Sequence, residues 1–412
     1  MQQRKHSARA TATRRKDESE MKRTQPGKKH NTKTRLPSIL AATESYEKWV
    51  GRQVQIVPAD LSLKHRRMAE AVFPFLRATF YRWAQLWPVL CEDLARAPFV
   101  LAVGDLHVEN FGTWRDEEGR LAWGVNDFDE AWPASYTVDL VRLVTSAYVA
   151  ITEQHLSVKK EEAREAIESG YRDCIAKGGS PYVLAEKHRW LRKVALNKLR
   201  DPIHFWRKIQ SCKEFHGKLP RAVHELLEGS MPVKEPTLDM KTRVAGLGSL
   251  GHPRVLGLTA WHGAHIVREA KALTRSAWIW ARGEADRSDA HNAGGEKAPL
   301  EQQNLINHAI RIPDPHMHFV SDWVVRRLAP DCCHIELCSL PAEHDEERLL
   351  YAMGWDTANL HLGTREKTAA LKKDLAGRKG RWLHKAGKAM EEATKKDWKV
   401  WRKAWRERHP KG

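Results

Sequence analysis

The sequence predicts a mixed α+β fold in which a strand-rich module is flanked by helices. Apolar residues recur at helical spacing over long stretches, and short all-apolar runs end at polar turns. Between residues 236 and 340, glycine-containing turns join several short strands. The 412 residues are 42% hydrophobic, which is enough for a sizeable core. No apolar run reaches the roughly 20 residues of a membrane-spanning helix, so we expect no membrane span.

The first part of the predicted body, residues 36–235, combines helices with two short strands. Helical periodicity is expected over 64–87, 158–175 and 181–228. Phe99–Val103 is an all-apolar run that suits a buried strand. Leu121–Val125 follows a polar turn and is predicted to be its hairpin partner.

The second part, residues 236–340, is predicted to be the strand-rich module, and 341–412 to be a helical segment. Strands are expected over 242–247, 254–261, 265–269, 319–328 and 334–340. Residues 283–300 are rich in Gly, Ala, Asp, Asn and Glu, which predicts a flexible insertion. The C-terminal segment ends in a helix that interleaves tryptophans with lysines and arginines.

Positive charge is concentrated at the two ends of the chain. The formal net charge is +18, of which residues 1–35 contribute +9 and residues 365–412 contribute +11. The middle of the chain therefore sums to −2. We interpret 1–35 as a disordered basic arm, and we expect any attraction to polyanions through the two ends to be weak and salt-dependent.

The six cysteines have no paired spacing, so they do not predict a disulfide framework. The tightest group, Cys332, Cys333, His334 and Cys338, lacks the spacing of a structural zinc site, and ordinary buried thiols are favoured there. Since the N-terminus also lacks the apolar segment of a secretory signal, we expect a cytoplasmic protein.

Two acidic loops follow the predicted strands and form the first candidate site. One runs from Gly104 to Gly112 and contains Asp105 and Asn110, and the other contains Asp127 and Asp129. Phosphoryl transfer needs a carboxylate that orients the acceptor hydroxyl, together with amide and carboxylate oxygens that bind metal. Asp105 suits the first role, and Asn110 and Asp127 suit the second. Asp129 either joins a second metal or caps the next turn.

Four further residues near these loops have both structural and functional interpretations. Asp139 and Arg142 stand at helical spacing, which favours a buried ion pair between them over contact with substrate. His107 either contacts substrate or phosphate, or is a hydrogen-bonded loop residue. Arg142 and Arg77 are both candidate ion-pair partners for the loop acids.

A glycine-rich turn between two predicted strands forms the second candidate site. Gly246, Gly248 and Gly251 leave room for backbone N–H groups to approach phosphate oxygens, and Ser249 lies between them. A β-rich segment follows, which argues against a dinucleotide-binding motif and favours a kinase-type loop over ATP. A tight hairpin would also need these glycines. Arg268, near the end of the next strand, is the expected phosphate-pairing cation.

Taken together, these motifs resemble a bacterial family, the domain of unknown function 2252. The matching runs are Gly104–Gly112, Asn126–Glu130 and Asp139–Leu143, and the first two are also similar to the loops of aminoglycoside phosphotransferases and related kinase-like enzymes. The resemblance implies a two-lobed, protein-kinase-like fold. Here the glycine loop follows the catalytic-type loop, so the lobes would be permuted in sequence. The family usually has Lys at the position of Arg268, and Lys271 could substitute only if the strand register allows.

The favoured function is therefore an ATP- and Mg²⁺-dependent phosphotransferase acting on an unidentified hydroxyl-bearing acceptor. Three alternatives remain open at this point. They are a catalytically degenerate nucleotide-binding protein, a metal-dependent hydrolase, and a basic protein associated with nucleic acid.

Overall fold

The computed structural model describes residues 36–195, 201–283, 300–332 and 345–410. By their contacts, the described residues from Pro37 onward form one unit. The predicted basic arm lies outside the described residues, as do most of the insertion predicted at 283–300 and the strand predicted at 334–340. The division of 36–412 into three segments stays a prediction.

Helices account for most of the regular structure that is described. Up to residue 230 they are α1 (Ile39–Val50), α2 (Pro58–Glu70), α3 (Val72–Ala78), α4 (Phe80–Leu90), α5 (Glu92–Ala95), α6 (Thr137–Thr152), α7 (Lys160–Lys177), α8 (Arg189–Ala195), α9 (Pro202–Gln210) and α10 (Arg221–Gly229). Later in the chain come α11 (Ala277–Ala281), α12 (Glu301–His308), α13 (Glu346–His361), α14 (Thr368–Gly377) and α15 (Trp382–Arg408). Within the described ranges, none of these helices has the length and apolar character to cross a membrane.

The strands that the structure describes form three antiparallel sheets. They are β1 (Phe99–Ala102), β2 (Phe111–Arg115), β3 (Leu121–Val125), β4 (Trp132–Ser135), β5 (Tyr182–Val183), β6 (Asp239–Thr242), β7 (Arg254–Trp261), β8 (Ala264–Ala272), β9 (His318–Val320) and β10 (Trp323–Leu328). β1 pairs with β4, β3 lies between β2 and β5, and the largest sheet has the order β6-β7-β8-β10-β9. The predicted mixed α+β class is confirmed.

The main core surrounds α6, which is buried on every side. All residues from Thr137 to Ala150 are buried. The helical pattern over 64–87 is divided among α2, α3 and α4, because the chain leaves the helical conformation at Ala71 and at Thr79. At the C-terminus, α15 packs against this core through residues that include Met390 and Trp401.

The predicted pairing of the first two strands is wrong. β3 does not pair with β1 but with β2, whose residue Phe111 lies opposite Val125. The turn between β2 and β3 is short, so the chain folds back on the strand directly before it, and Gly119 has the positive φ of +73° that such a turn favours. β1 pairs instead with β4.

The five-stranded sheet differs from the prediction at two places. β6 ends at Thr242, so most of the strand expected over 242–247 is loop. The strand expected over 319–328 is a hairpin of β9 and β10, which turns at Ser321 with a φ of +50°.

Both faces of the five-stranded sheet are covered by helices. On one face, Ile209 of α9 packs with Leu256 and Leu328. On the opposite face, Val223 and Leu227 of α10 pack with strand residues of β8 and β10. The face that carries α9 also faces the cavity described below.

Candidate active site

A cavity of about 480 Å³ lies between the acidic loops and the α9-covered face of the five-stranded sheet. Many of the predicted site residues line it: Arg77, Asp105, His107, Asn110, Asp127, Asp129, Gly246, Gly248 and Ser249. The other four, Asp139, Arg142, Gly251 and Arg268, are not on its wall. Two motifs that are about 140 residues apart in the sequence therefore face the same space.

The glycine loop, residues 243–252, runs next to the first acidic loop. A Cβ atom built on Gly248 would lie 3.9 Å from Asp105 Oδ2 and 3.3 Å from the carbonyl oxygen of Arg77. A larger side chain at residue 248 would therefore enter the space beside the Asp105 carboxylate. The loop is held there by Lys64, whose Nζ donates a 2.7 Å hydrogen bond to the Gly248 carbonyl.

Asp105 follows β1 and is fixed by a buried arginine. Arg142 donates from Nε and Nη2 to Asp105 Oδ1, at 3.0 and 2.7 Å. The side chain of Arg142 is only 1% exposed and also donates to the Leu76 carbonyl at 2.6 Å. Burial raises the pKa of Asp105 above its usual range, and the Arg142 cation opposes that shift. A carboxylate whose pKa is raised in this way is a stronger base.

The predicted ion pair between Asp139 and Arg142 is wrong. Asp139 instead accepts hydrogen bonds from the backbone N–H groups of Val103 and Gly104, at 2.7 and 2.9 Å. Its Oδ2 also lies 3.0 Å from His361 Nε2. Asp139 therefore fixes the backbone at the start of the first acidic loop, while Arg142 binds the carboxylate of the next residue, Asp105.

Asn110 connects the two acidic loops and leaves one oxygen atom unused. Its Nδ2 donates to the carbonyl oxygens of Asp105 and Asp127, at 3.0 and 3.3 Å. These two bonds fix the orientation of the amide. Oδ1 is buried and has no hydrogen-bond partner among the described residues. A buried amide oxygen without a donor is suited to binding a cation.

Asp127 and Asp129 share a lysine. The ammonium of Lys271, on β8, lies 3.6 Å from Asp127 Oδ1 and contacts Asp129 Oδ2 directly. Burial and the nearby Asp127 charge raise the pKa of Asp129 to about 6, although Lys271 opposes the shift. Lys271 is 3% exposed, so its ammonium group is buried beside the two aspartates at this end of the cavity.

The acids and the amide supply oxygen atoms of the kind that could hold a magnesium ion. In the described parts of the chain, no group of three or more His, Cys, Asp and Glu side chains could hold a metal ion alone. Mg²⁺ usually binds through one or two carboxylates, with substrate phosphates and water completing its octahedron. Asp127 and the Oδ1 atom of Asn110 are the oxygen atoms on the cavity wall that could serve as such ligands.

Arg77 and His107 both engage Glu109, in the same acidic loop. Arg77 forms an ion pair with the Glu109 carboxylate. The Nδ1 atom of His107 accepts a 3.2 Å hydrogen bond from the Glu109 backbone N–H. Both side chains line the cavity and, at the same time, stabilise the loop that carries Asp105 and Asn110.

Arg268 does not reach the acidic loops, which corrects its predicted role. Its guanidinium group donates to the carbonyl oxygens of Val267 and Ser230, on the face of the sheet that carries α10. Side chains alternate between the faces of a strand, so Glu269 and Lys271 share the cavity face and Arg268 lies opposite. Lys271 is the cation that β8 supplies to the site.

Gly251 also lies outside the cavity. It has a φ of +102°, and its carbonyl accepts a 2.8 Å hydrogen bond from Val57, the residue before α2. Its function is to turn the chain at the end of the loop and to attach that end to α2.

Sequence reasoning missed a carboxyl group that lies inside the cavity. Burial raises the pKa of Glu130 to about 8. Its Oε2 accepts hydrogen bonds from Ala277 N and Ser276 Oγ at the start of α11, at 2.7 and 2.9 Å. The only sequence signal was its place directly after Asp127 and Asp129 in one acidic run.

A second missed feature is the arginine cluster, which we define as Arg243, Arg254 and Arg326 around the buried Glu269. The three arginines line the cavity, and each forms an ion pair with Glu269. These arginines hold the pKa of Glu269 well below its usual range, despite its burial. They come from a loop and two different strands, so no single sequence motif contains them.

Of the cysteine and histidine group near residue 333, only Cys332 is described. It is a free thiol on the cavity wall, and its burial raises its pKa to about 12, which makes it a poor nucleophile. Cys333, His334 and Cys338 lie outside the described residues.

Comparison with known proteins supports the family resemblance for the part of the chain that contains the acidic loops. Residues 52–198 match the family described as "uncharacterized protein conserved in bacteria (DUF2252)". The match includes Lys64, both acidic loops and Arg142, and it ends before the glycine loop. No curated protein and no solved structure matches the chain.

Proposed function

We propose that this protein is an ATP- and Mg²⁺-dependent phosphotransferase that acts on a hydroxyl-bearing acceptor. One observation carries the proposal: Gly248 of the glycine loop lies beside the Asp105 carboxylate, in a cavity that Asn110 and Asp127 also line. A phosphate-binding loop, a candidate base and oxygen ligands for a metal are the parts that phosphoryl transfer requires.

In this proposal, Asp105 would orient and deprotonate the acceptor hydroxyl. Arg142 occupies its Oδ1, which leaves Oδ2, on the side of the glycine loop, for the incoming hydroxyl. Asp127 and Asn110 would hold Mg²⁺, which when bound neutralises charge on the phosphate oxygens. Lys271 keeps Asp129 paired, so that carboxylate does not repel the phosphates.

The same arrangement supports a kinase-like fold with permuted lobes. The five-stranded sheet with the glycine loop corresponds to the lobe that covers ATP, and the helices around α6 correspond to the lobe that supplies the acidic loops. In chain order, the helical lobe that supplies the acidic loops precedes the lobe that covers ATP. The proposal also places the protein in the cytoplasm, where both ATP and Mg²⁺ are available.

Isothermal titration with Mg-ATP tests the proposal directly. We expect wild type to bind, and Asp127→Ala to bind at least about tenfold more weakly, since one charged metal contact is lost. Asp93→Ala is the matched control, because this aspartate is 98% exposed and remote from the cavity wall. If wild type binds no nucleotide, the proposal fails.

Turnover distinguishes the proposed function from its alternatives. Slow release of ADP that is lost in Asp105→Asn would support transfer. Nucleotide binding with no such release would favour a degenerate relative, and ester hydrolysis without ATP would favour a metal-dependent hydrolase.

A further inference from the structure

The arginine cluster converges on a single carboxylate on the cavity face of the sheet. Arg243 Nη1 donates to Glu269 Oε1 at 2.5 Å, and Arg326 donates from Nε to Oε2 at 2.8 Å. Arg254 Nη1 lies 3.4 Å from both oxygens. Glu269 is fully buried, whereas Arg243 and Arg326 keep 24% and 18% of their side-chain surface exposed.

The sheet fixes the positions of these groups before any ligand arrives. Arg326 lies directly opposite Glu269 in the β10–β8 pair, and Arg254 lies opposite Lys271 in the β7–β8 pair. Side chains at paired positions project from the same face of a sheet. The arginine side chains are therefore already ordered, so binding a ligand here costs little side-chain entropy.

Charge in the cluster is not balanced by its own members. Three guanidinium groups surround one carboxylate, which leaves two positive charges in a largely buried place. The neighbouring acidic loop offsets part of this charge, since Asp127 and Asp129 act on Arg326 and also pair with Lys271. Four cations and three carboxylates then leave one positive charge. Excess buried charge of one sign favours the binding of a counter-ion of the other sign.

The glycine loop adds unused hydrogen-bond donors at the same point. The backbone N–H groups of Val244–Ser249 donate no hydrogen bond to any residue that the structure describes. Gly246 lets the loop lie against Arg254, because a Cβ at this position would be 2.5 Å from Arg254 Nη2. Arg254 Nη2 also donates to Ser249 Oγ at 2.6 Å, and its Nε is buried without a partner. Arg254 itself is 4% exposed.

We propose that the arginine cluster and the glycine loop together form a binding site for a polyphosphate chain of two or more phosphates. The inference deepens the proposed function by assigning the phosphate contacts to Arg243, Arg254 and Arg326 on Glu269, in place of a single lysine. A guanidinium group can bind two phosphate oxygens at once, whereas each loop N–H group binds one. A chain of phosphates can use both kinds of donor at once.

Inorganic tripolyphosphate, titrated into the full chain without metal, tests this site apart from catalysis. We expect Arg243→Gln and Arg326→Gln each to weaken its binding by about 10- to 100-fold, because each removes one charged hydrogen-bond donor. Arg221→Gln is the matched control, since Arg221 is 92% exposed on α10, which covers the opposite face of the sheet. Circular dichroism and thermal melting of each variant verify that it folds.

The possible results separate this inference from the proposed function. If wild type does not bind tripolyphosphate, or if both variants bind it as well as Arg221→Gln does, the inference is wrong. Mg-ATP binding that survives both substitutions would likewise overturn it and leave the proposed function standing. Tripolyphosphate binding that needs the arginines, in a protein that never transfers phosphate, would support the site and count against the proposed function.

Discussion

Replacement of Arg142 by methionine is the substitution for which the structure predicts the largest combined effect on stability and on the site. The guanidinium group makes two hydrogen bonds to Asp105 Oδ1 and one to the Leu76 carbonyl, and its centre lies 4.7 Å from the ring of Trp83. Methionine would fill much of the volume and restore none of these bonds. It would leave the Asp105 carboxylate without its cation in a buried loop.

The expected loss of unfolding free energy is about 3 to 5 kcal/mol at pH 8, the range for removing one partner of a buried ion pair. The loss should be smaller at pH 5. Burial already raises the pKa of Asp105, and loss of Arg142 raises it further. A carboxyl group whose folded pKa is raised can take up a proton at low pH, so its penalty is relieved there and returns as the pH rises.

Urea unfolding at pH 5 and pH 8, followed by circular dichroism, measures this difference. Adding Asp105→Asn to Arg142→Met should recover about 2 kcal/mol at pH 8, because the unpaired charge is then absent. Arg82→Met is the matched control: Arg82 is also buried and pairs with Asp397 at 2.7 Å, outside the cavity wall. That variant should lose stability but retain Mg-ATP binding. Equal losses for Arg142→Met at both pH values, with no recovery in the double variant, would refute the reasoning.

Three further predictions follow from the same geometry. Burial raises the pKa of Glu130 to about 8, so the free energy of unfolding falls as the pH rises toward that value. Because the side chain also borders the cavity, Glu130→Gln should stabilise the protein by only about 1 to 3 kcal/mol at pH 8.5 and by almost nothing at pH 4.5 in urea unfolding; an equal gain at both would contradict the assignment. Gly248→Val should weaken Mg-ATP binding at least about tenfold in titration while thermal melting stays within a few degrees, since its side chain enters the space beside Asp105. Lys271→Gln should weaken Mg-ATP binding, whereas Arg268→Gln should leave it unchanged. If Arg268→Gln weakens Mg-ATP binding and Lys271→Gln does not, the assignment of Lys271 as the cation from β8 is wrong.

The acidic loops could be predicted from the sequence because their geometry is local. A short apolar run followed by Gly104 and Asp105 specifies a strand that ends at a polar loop, whatever lies elsewhere in the chain. Asn110 lies five residues further along the same loop, where its amide donates a hydrogen bond to the Asp105 carbonyl. The spacing therefore contains most of the information that fixes these two side chains.

The sequence left two possible partners for Arg142, the loop acids and Asp139, and could not decide between them. On an exposed helix, residues three apart are neighbours and commonly pair, which favoured Asp139. Here α6 is buried on all sides, and Asp139 is already satisfied by two backbone N–H groups near β1. Each buried polar group on such a helix binds a partner from another element, and those elements are distant in the sequence.

The error at Arg268 has a different cause. Strict alternation places Arg268 on one face of β8, with Glu269 and Lys271 on the other, and this much is visible in the sequence. Which face borders the cavity is not visible, because apolar residues lie on both. Val267 packs with Ile209 of α9, and Ala270 packs with residues of α10. In a strand that is buried on both sides, the hydrophobic pattern does not show which face borders the cavity.

The charge of the chain shows why a sum over residues says little about a site. The middle of the sequence is close to neutral, at −2, yet among the described residues the cavity wall has six Lys or Arg side chains and five Asp or Glu side chains. These charges are partly separated in space. The acids come from loops next to α6, whereas Arg243, Arg254 and Arg326 come from the five-stranded sheet and its glycine loop. The other three cations, Lys64, Arg77 and Lys208, come from α2, α3 and α9. A cavity with one acidic and one basic side suits a ligand that brings both a cation and an anionic chain, as a metal-bound polyphosphate does. The two sides meet only because the fold brings two distant parts of the chain together.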